Sequence, residues 1–497
     1  MPIKNTYQLH KHMNAYDYLF ENSFNLEKVL VLGSKDSKSF KSISEECSKL
    51  AYYLRNKIGQ DKKVLLVANN STFFIVAYLG ILKSGNICVP LNPGIELESF
   101  KFILEKTNSQ IGFFSENTLN RLSPNINRIS EDSLLEIVHN ENSNIAYEPE
   151  FDGNKMAEIL FTSGSTALPK GVMLSHNNII SNTDSIIQYL GLIKTDIMMV
   201  VLPFYYCYGL SLLHTHIRVG GSLVLNNNFI FLGSTINDLN KYCCSGFAGV
   251  PSHFQIMLRK SDLFKNTKFP NLRYVTQAGG KLHNAFINEF TESFPEIQFF
   301  VMYGQTEATA RLSYLPPAML KEKPGSLGKG IPGVELKVVD DHGCSINPGD
   351  TGEILARGMN LMLGYYEDPE STAITIKNGW LYTGDLATID EDGYIYIEAR
   401  KKEIIKVGGN RVSPKEIEAI IVTMPGVIDC TVEAIEDEIL GEAIKVSVIV
   451  NENGKRITEE ELKQHCAMRL SSYKVPKFVS FKDSLELSPS GKKMKQI

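Results

Sequence analysis

Residues 162–171, TSGSTALPKG, hold two threonines, two serines, two glycines and one lysine within ten positions. Small residues let successive backbone N–H groups turn inward on an anion, hydroxyls add donors, and an ammonium supplies a point charge. This composition therefore suits a polyphosphate cradle with Lys170 at its outer, most negative end. The same residue types also build ordinary surface turns, and the segment alone leaves that alternative open. Its spacing excludes one familiar phosphate binder. A Walker A loop needs GxxxxGK[ST], whereas here Lys170 precedes Gly171, and Leu168-Pro169 interrupts the turn that would open a helix.

Such a loop needs a rigid platform, and residues 156–161 (MAEILF) read as a strand that empties into it. Upstream, residues 64–69 (VLLVAN) read as a buried strand, 72–83 as a helix and 86–91 (NICVPL) as the next strand, ending before Pro93-Gly94. That is a βαβ pattern. It recurs less regularly in VVLPF from Val200, SLVL from Ser222, GFAGV from Gly246, LRYVTQAGG from Leu272 and QFFVMYGQTEA from Gln298. Several of these strands end in Gly, Ser or Thr clusters, where open α/β sheets place ligands.

After about Pro324 the texture changes to short, alternating, Gly-punctuated strands: GVELKVVD from Gly333, GEILARG from Gly352, WLYTGDLATID from Trp380 and YIYIEAR from Tyr394. This pattern predicts an antiparallel β subdomain. The charge-dense residues 399–418, ARKKEIIKVGGNRVSPKEIE, open a last segment with a helix after Pro414, strands near Val432 and over 444–450, and a helix near 459–470. The expected fold is α/β: a large N-terminal domain over residues 1–399, made of layered βα subdomains plus the β subdomain, and a small α+β domain over 400–497.

Composition bounds the function. With 497 residues, 43% hydrophobic and 22% charged, the chain can bury a large core in more than one domain. A formal net charge of −5 gives no general attraction to nucleic acid or anionic membranes. Eight cysteines, with an adjacent pair at Cys243-Cys244 and no CxxC, match neither a zinc framework nor a disulfide scaffold, and are expected as free thiols in a reducing cytoplasm. The first residues lack the apolar core of a signal peptide, so the protein is expected to stay cytoplasmic. The uncharged residues 197–213, IMMVVLPFYYCYGLSLL, are short for a membrane span, contain Pro203 and are rich in tyrosine. A buried strand running into an aromatic loop is expected there.

Six ordered motifs carry a resemblance: TSGSTALPKG, YGQTEA at residues 303–308, GEILARG, YTGDLATID, ARKKEIIKVGGNRVSPKEIE and SPSGKK at 488–493. In register they resemble the adenylate-forming acyl-CoA synthetase superfamily, which includes acyl- and aryl-CoA ligases, adenylation domains and beetle luciferases. The likeness covers nearly the whole chain from about Phe40. It implies a mobile C-terminal domain and a two-step reaction. A carboxylate first attacks the α-phosphate of ATP, giving an acyl-adenylate and pyrophosphate; the thiol of coenzyme A then displaces AMP. Catalysis of the first step would rest on positioning and charge neutralisation.

Carried over residue by residue, the resemblance implies that Thr162, Ser163, Gly164, Ser165, Thr166 and Lys170 hold the β- and γ-phosphates. Tyr303, Gly304 and Gln305 belong to the nucleotide site, Thr306 contacts the α-phosphate, and Glu307 binds Mg²⁺ as a hard oxygen ligand. Ala278, Gly279 and Gly280 pass close to the adenine, while Asp385, assisted by Arg400, accepts both ribose hydroxyls. Read without it, Glu307 is a loop carboxylate, Ala278-Gly279-Gly280 a plain turn, Asp385 a turn former and Lys492 part of a basic tail. With it, Lys492 bridges carboxylate and α-phosphate oxygens during adenylation. One rigid site cannot present Lys492 and also admit a pantetheine thiol, so the small domain is expected to rotate about Lys402. Gly408 and Gly409 would then line the thiol tunnel, with Lys406 facing the adenylate.

Some positions depart from the family pattern. Ala167 replaces a glycine in the phosphate loop, Ala399 replaces the glycine before Arg400, and Glu486, Leu487 and Ser488 replace Pro, a basic residue and Thr. In PFYYCYG, residues 203–209, many acyl- and aryl-CoA ligases carry histidine at the Tyr206 position. Tyr206 and Tyr208 are expected at the acyl pocket, and His253 either there as a contact or as a packed helix residue. No acid lies between Asp196 and Gly221 to hold a substrate ammonium, which favours an uncharged acyl or aryl acid over an amino acid. The same residues would also serve an enzyme that loads an acyl or amino acid onto the phosphopantetheine of an acyl or peptidyl carrier protein.

Overall fold

The computed structural model describes residues 13–33, 37–141, 151–162, 169–229, 231–259, 262–401, 403–437, 440–451 and 457–482, and the statements below concern these. A seven-stranded sheet runs Gly364–Tyr365, Lys170–Ser175, Met156–Thr162, Ile87–Leu91, Lys63–Val67, Ile111–Phe114, Asn127–Ile129. Its apolar inner strands are buried on both faces, as parallel strands covered by helices must be. The strands Met156–Thr162 and Lys170–Ser175 are antiparallel, with Thr162 directly opposite Lys170. The two ends of the phosphate-loop motif are therefore cross-strand neighbours, and its residues 163–168 lie outside the described residues.

A nine-stranded sheet has a parallel centre that runs Gln298–Tyr303, Tyr274–Gln277, Gly246–Gly249, Ile197–Val200, Ser222–Leu225, Val29–Leu32. Between the two sheets lies the helix Thr72–Lys83, whose sequence TFFIVAYLGILK is apolar on every side and buried at all positions but Lys83. A helix without a polar face must be covered all round. Its Tyr78 reaches Glu158 on one sheet and His214 on the helix Cys207–Val219 beside the other. Just before it, Asn70 donates to Leu202 O at 2.9 Å and accepts from Phe204 N at 2.7 Å, fixing the aromatic segment to the first crossover.

That segment is shorter than its sequence suggests. The strand Ile197–Val200 is followed by a helix that begins at Cys207, so Tyr208 is helical and only residues 201–206 form the loop. Phe204 is fully buried and Tyr206 N bonds to Pro203 O, so the loop folds back under the helix start instead of running on as coil.

The antiparallel subdomain expected after Pro324 is a five-stranded sheet of Val334–Val339, Thr351–Gly358 and Trp380–Ile389, the last paired also with Ile376–Lys377 and Ile395–Arg400. A second five-stranded sheet begins at Ile405–Val407 and is built on the long hairpin Val427–Asp437 and Gly441–Val450, covered by the helices Pro414–Ile421 and Glu459–Ala467. The compositional break at Arg400 thus falls at the end of one sheet, just before the next. The C-terminal sheet meets the helix Pro251–Arg259, where Gln255 Nε2 donates to buried Asp429 at 3.0 Å.

Candidate active site

The motif YGQTEA leaves the strand Gln298–Tyr303 through Gly304 and a 3₁₀ turn, Thr306–Ala308. A Cβ on Gly304 would stand 1.9 Å from Ala310 O, so the crossing backbone dictates glycine there whatever the nucleotide requires. The turn presents Glu307 to a segment the sequence reading did not single out. Met362 N donates to Glu307 O and the Tyr365 hydroxyl donates to Glu307 Oε1, each at 2.9 Å. Burial, then the Glu307 charge, push the Tyr365 phenol up, so it remains a donor.

The same tyrosine meets the phosphate-loop lysine. Lys170 Nζ lies 5.2 Å from the Tyr365 ring centroid, donates to Ser371 Oγ and pairs with Asp368 at 3.4 Å. Asp368 in turn caps the helix Pro369–Thr375 by accepting from Ser371 N. The strand Gly364–Tyr365 pairs with Val172 and Met173, which fixes this group against the strand that begins at Lys170.

At the other end of the motif, the Tyr303 hydroxyl donates to Asp385 Oδ2 at 2.6 Å and Arg400 Nε donates to Asp385 Oδ1 at 3.1 Å. Asp385 and Arg400 are directly opposite in the antiparallel ladder. Burial pushes the Asp385 carboxyl up, opposed by Arg400 and Tyr303. The turn Ala278-Gly279-Gly280 follows the strand Tyr274–Gln277, neighbour of the strand that ends in Tyr303. Gly279 takes φ +84°, and Gln277 Nε2 donates back to Gly280 O at 2.7 Å.

These groups fit a nucleotide and a magnesium ion. Each carboxylate oxygen of Asp385 spends one acceptor position on Tyr303 or Arg400 and keeps another, which suits a pair of vicinal hydroxyls. Tyr365 occupies one oxygen of Glu307 and leaves the other. Among the described residues no cluster of three or more His, Cys, Asp or Glu could hold a metal. An ion at Glu307 would thus take its remaining ligands from phosphate and water, the usual habit of Mg²⁺.

Tyr206 stands half-buried at the start of the helix Cys207–Val219, and Cys207 Sγ lies 3.6 Å from Thr306 Oγ1, joining the aromatic gate to the motif turn. Tyr208 is buried, with its hydroxyl bonded to Thr276 O at 3.0 Å. His253 is packed: its ring centroid lies 4.2 Å from that of Phe229, its Nδ1 accepts from Val250 N at 3.3 Å, and burial pushes it down to about 4.

The structure does not bring every expected residue to this place. Lys406 is exposed, and its backbone N–H donates to Glu442 at 2.5 Å. Gly408 lines a cleft of about 380 Å³ formed wholly by C-terminal residues, among them Leu440, Ile444 and Tyr473. Gly409 completes the same turn, the two glycines having φ +54° and +84°. Ser163, Gly164, Ser165, Thr166, Lys402 and Lys492 lie outside the described residues.

The sequence profile of AMP-binding enzymes matches residues 22–366, and that of the AMP-binding enzyme C-terminal domain matches residues 416–492. The chain belongs to the AMP-binding enzyme family. It is 30% identical to the oxalate–CoA ligase of Arabidopsis thaliana over 87% of each chain. It is also 30% identical to the long-chain-fatty-acid–CoA ligase of Escherichia coli O157:H7, over 91% of this chain and 88% of the other. Among solved structures, ATP-bound MatB from Rhodopseudomonas palustris superposes with a TM-score of 0.87 at 25% identity, covering 97% of each chain.

Two groups in this AMP-binding enzyme escaped the sequence reading. Tyr365 announces itself only as the middle of GYYEDP, where an aromatic pair precedes a helix cap. Arg311, four places after Glu307, has its guanidinium 4.0 Å from the Tyr208 ring centroid and is buried.

Proposed function

We propose that this AMP-binding enzyme activates a carboxylic acid with ATP and transfers the acyl group to the thiol of coenzyme A. In the first step an acid oxygen bonds to the α-phosphorus, the bond from that phosphorus to the bridging oxygen breaks, and pyrophosphate leaves. In the second, the thiol sulfur bonds to the acyl carbon, AMP leaves with the oxygen, and the thiol proton passes to solvent. The observation that carries this reading is the span of one motif: Tyr303 at its start holds Asp385, and Glu307 near its end is joined through Tyr365 to Lys170. One short segment thus ties a ribose acceptor to a phosphate-and-metal end, as an adenylyl donor requires.

In this reading Asp385, with Arg400, orients the ribose, Ala278, Gly279 and Gly280 border the base, and Lys170 with the 162–166 loop neutralises the outer phosphates. Thr306 and Glu307 serve the α-phosphate, Glu307 through Mg²⁺, whose bound charge would offset that of the departing pyrophosphate. Lys492 supplies a further cation for adenylation. The units are residues 1–399 and 400–497, and the second turns about Lys402 between half-reactions. The position of Gly408 and Gly409 against their own module supports a second orientation in which they and Lys406 face the adenylate. No helix among the described residues is long and apolar enough to cross a membrane. That fits the cytoplasmic location we propose.

The relatives are named for acids as unlike as oxalate and a long-chain fatty acid, so the acid taken here is a property of this chain's own pocket. Both are CoA ligases, which favours coenzyme A over a carrier-protein arm as acceptor. The decisive experiment supplies purified protein with ATP, Mg²⁺ and a panel of acids, and reads pyrophosphate release with and without coenzyme A. No pyrophosphate from any acid overturns the proposal. Adenylation without a CoA thioester, but with acylation of a phosphopantetheinylated carrier, moves the acceptor to the carrier.

A further inference from the structure

Arg311 is buried, and among the described residues no other lysine or arginine is. Its guanidinium lies over the face of Tyr208 at 4.0 Å from the ring centroid. One terminal nitrogen donates to Ala310 O at 3.3 Å, and Nε is without a hydrogen-bond partner. No carboxylate pairs with it among the described residues. A guanidinium cannot shed its proton inside a protein, and buried charges are kept only where something answers them. The ring face offsets part of the desolvation. It does not supply a counter-charge.

The groups around this cation are not anions. Tyr208 gives its hydroxyl to Thr276, and Tyr189, whose phenol is pushed up chiefly by burial, gives its own to Met302 Sδ at 2.9 Å. The Tyr189 hydroxyl oxygen still faces the guanidinium as a neutral acceptor, so the cation is left with aromatic walls, no counter-charge and an Nε without a partner. Two contacts relate it to the aromatic loop: half-buried Cys207 touches Thr306, and the ring of the next residue, Tyr208, stacks on Arg311. A ligand whose reacting end lay at Thr306 and Glu307 would have Arg311 within reach of its tail, because the guanidinium stacks on the residue next to the Cys207–Thr306 contact. The lack of acid between Asp196 and Gly221, which suggests an uncharged pocket, concerns that segment only; the cation comes from a different one and stacks on its Tyr208.

We propose that the acyl pocket takes a dicarboxylic acid, one carboxylate of which is activated beside Thr306 and Glu307 while the other pairs with Arg311. This rests on the acid–thiol ligase reading above and names the class of acid. Only the first carboxylate reacts; the second stays ionised throughout and serves as the counter-charge. A monocarboxylic acid of equal length would enclose the guanidinium with a methyl group and leave its donors unmade.

The test is pyrophosphate release by the full-length enzyme with length-matched pairs: succinate and butyrate, glutarate and valerate, adipate and hexanoate, phthalate and o-toluate. At least one diacid is expected to exceed its monoacid partner in kcat/KM by about 10²-fold. Arg311→Met should abolish that ratio, chiefly through KM of the diacid; Arg311→Lys should keep part of it. A purely packing role for Arg311 would lower both members of a pair together. Wild-type protein that uses the monoacid as well as the diacid in every pair overturns the dicarboxylate assignment, whether or not the variants fold, and leaves the ligase reading standing. Silence with every acid takes down both.

Discussion

Tyr365 stands between the two charges that the reaction would use: its hydroxyl donates to Glu307 Oε1 at 2.9 Å, and its ring centroid lies 5.2 Å from Lys170 Nζ. A tyrosine so placed holds one oxygen of the carboxylate and thereby aims the other. Outer-shell donors of this kind typically change metal affinity by about tenfold or more. Tyr365→Phe is therefore expected to raise the Mg²⁺ concentration needed for half-maximal pyrophosphate exchange by roughly tenfold, with the rate at saturating Mg²⁺ close to wild type. Titrating Mg²⁺ at fixed ATP checks this. An unchanged half-point would show that Glu307 needs no such orientation.

With Asp385 in its proposed role, nucleotide binding is expected to be sensitive to acid. Burial holds its carboxyl above the ordinary aspartate range despite Arg400 and Tyr303. As pH falls, it takes up a proton earlier than an exposed aspartate would, and then loses acceptor positions for the ribose hydroxyls. AMP affinity is expected to weaken as pH falls, beginning above the usual carboxylate range, and Asp385→Asn should bind AMP more weakly by about 10²-fold with little pH dependence. Calorimetric titration of AMP from pH 8 down to pH 4 measures both. A wild-type affinity constant over that interval, or retention of full affinity by the variant, contradicts the role given to this residue.

In the role proposed for it, Lys492 would separate the two half-reactions. Removing a cation that acts only in adenylation should slow formation of the adenylate by about 10²-fold or more, while CoA thioester formation from pre-made acyl-adenylate stays near wild type. Single-turnover measurements on Lys492→Ala with acid plus ATP, and separately with synthetic acyl-adenylate plus coenzyme A, resolve the steps. Equal loss in both would place Lys492 in general structure.

Where sequence reading succeeded, the signal was local. The apolar run at 156–161 reads as a strand without knowledge of the rest. The alternation in YTGDLATID and YIYIEAR likewise points to an antiparallel ladder, within which Asp385 and Arg400 are opposite. The failures are contacts between distant segments. Arg311 in ARLSYL looks like a surface cation, because nothing in its neighbourhood shows that Tyr208 will cover it. Glu158, alone in an apolar strand, gives no local sign of its partner. The sheet is covered on both faces, and the residue that satisfies Glu158 lies 80 positions away in a helix with no polar face of its own.

That buried carboxyl sets a stability profile of its own. Tyr78 donates to Glu158 Oε2 at 2.9 Å and lies 2.8 Å from His214 Nε2. Burial pushes His214 down to about 3, so the imidazole is neutral. With the Tyr78 proton committed to Glu158, His214 Nε2 must be the protonated nitrogen and donate to the tyrosine oxygen. Burial pushes Glu158 up from 4.5 to about 7, opposed only by the Tyr78 hydrogen bond. Below the unfolded value the group is protonated in both states and contributes no pH dependence. Between the two values the native protein retains a proton that the unfolded chain has released, so stability falls as pH rises. Above the folded value the whole cost is present, on the order of 3 kcal/mol. Glu158→Gln keeps an acceptor for Tyr78 and removes the titration. Its unfolding free energy should match wild type near pH 5 and exceed it by about 1–3 kcal/mol at pH 8. Urea denaturation at four pH values across this interval decides the matter: parallel wild-type and variant curves would mean that Glu158 is already neutralised by some other group throughout, and a variant less stable at pH 8 would mean that its charge is stabilising where it lies.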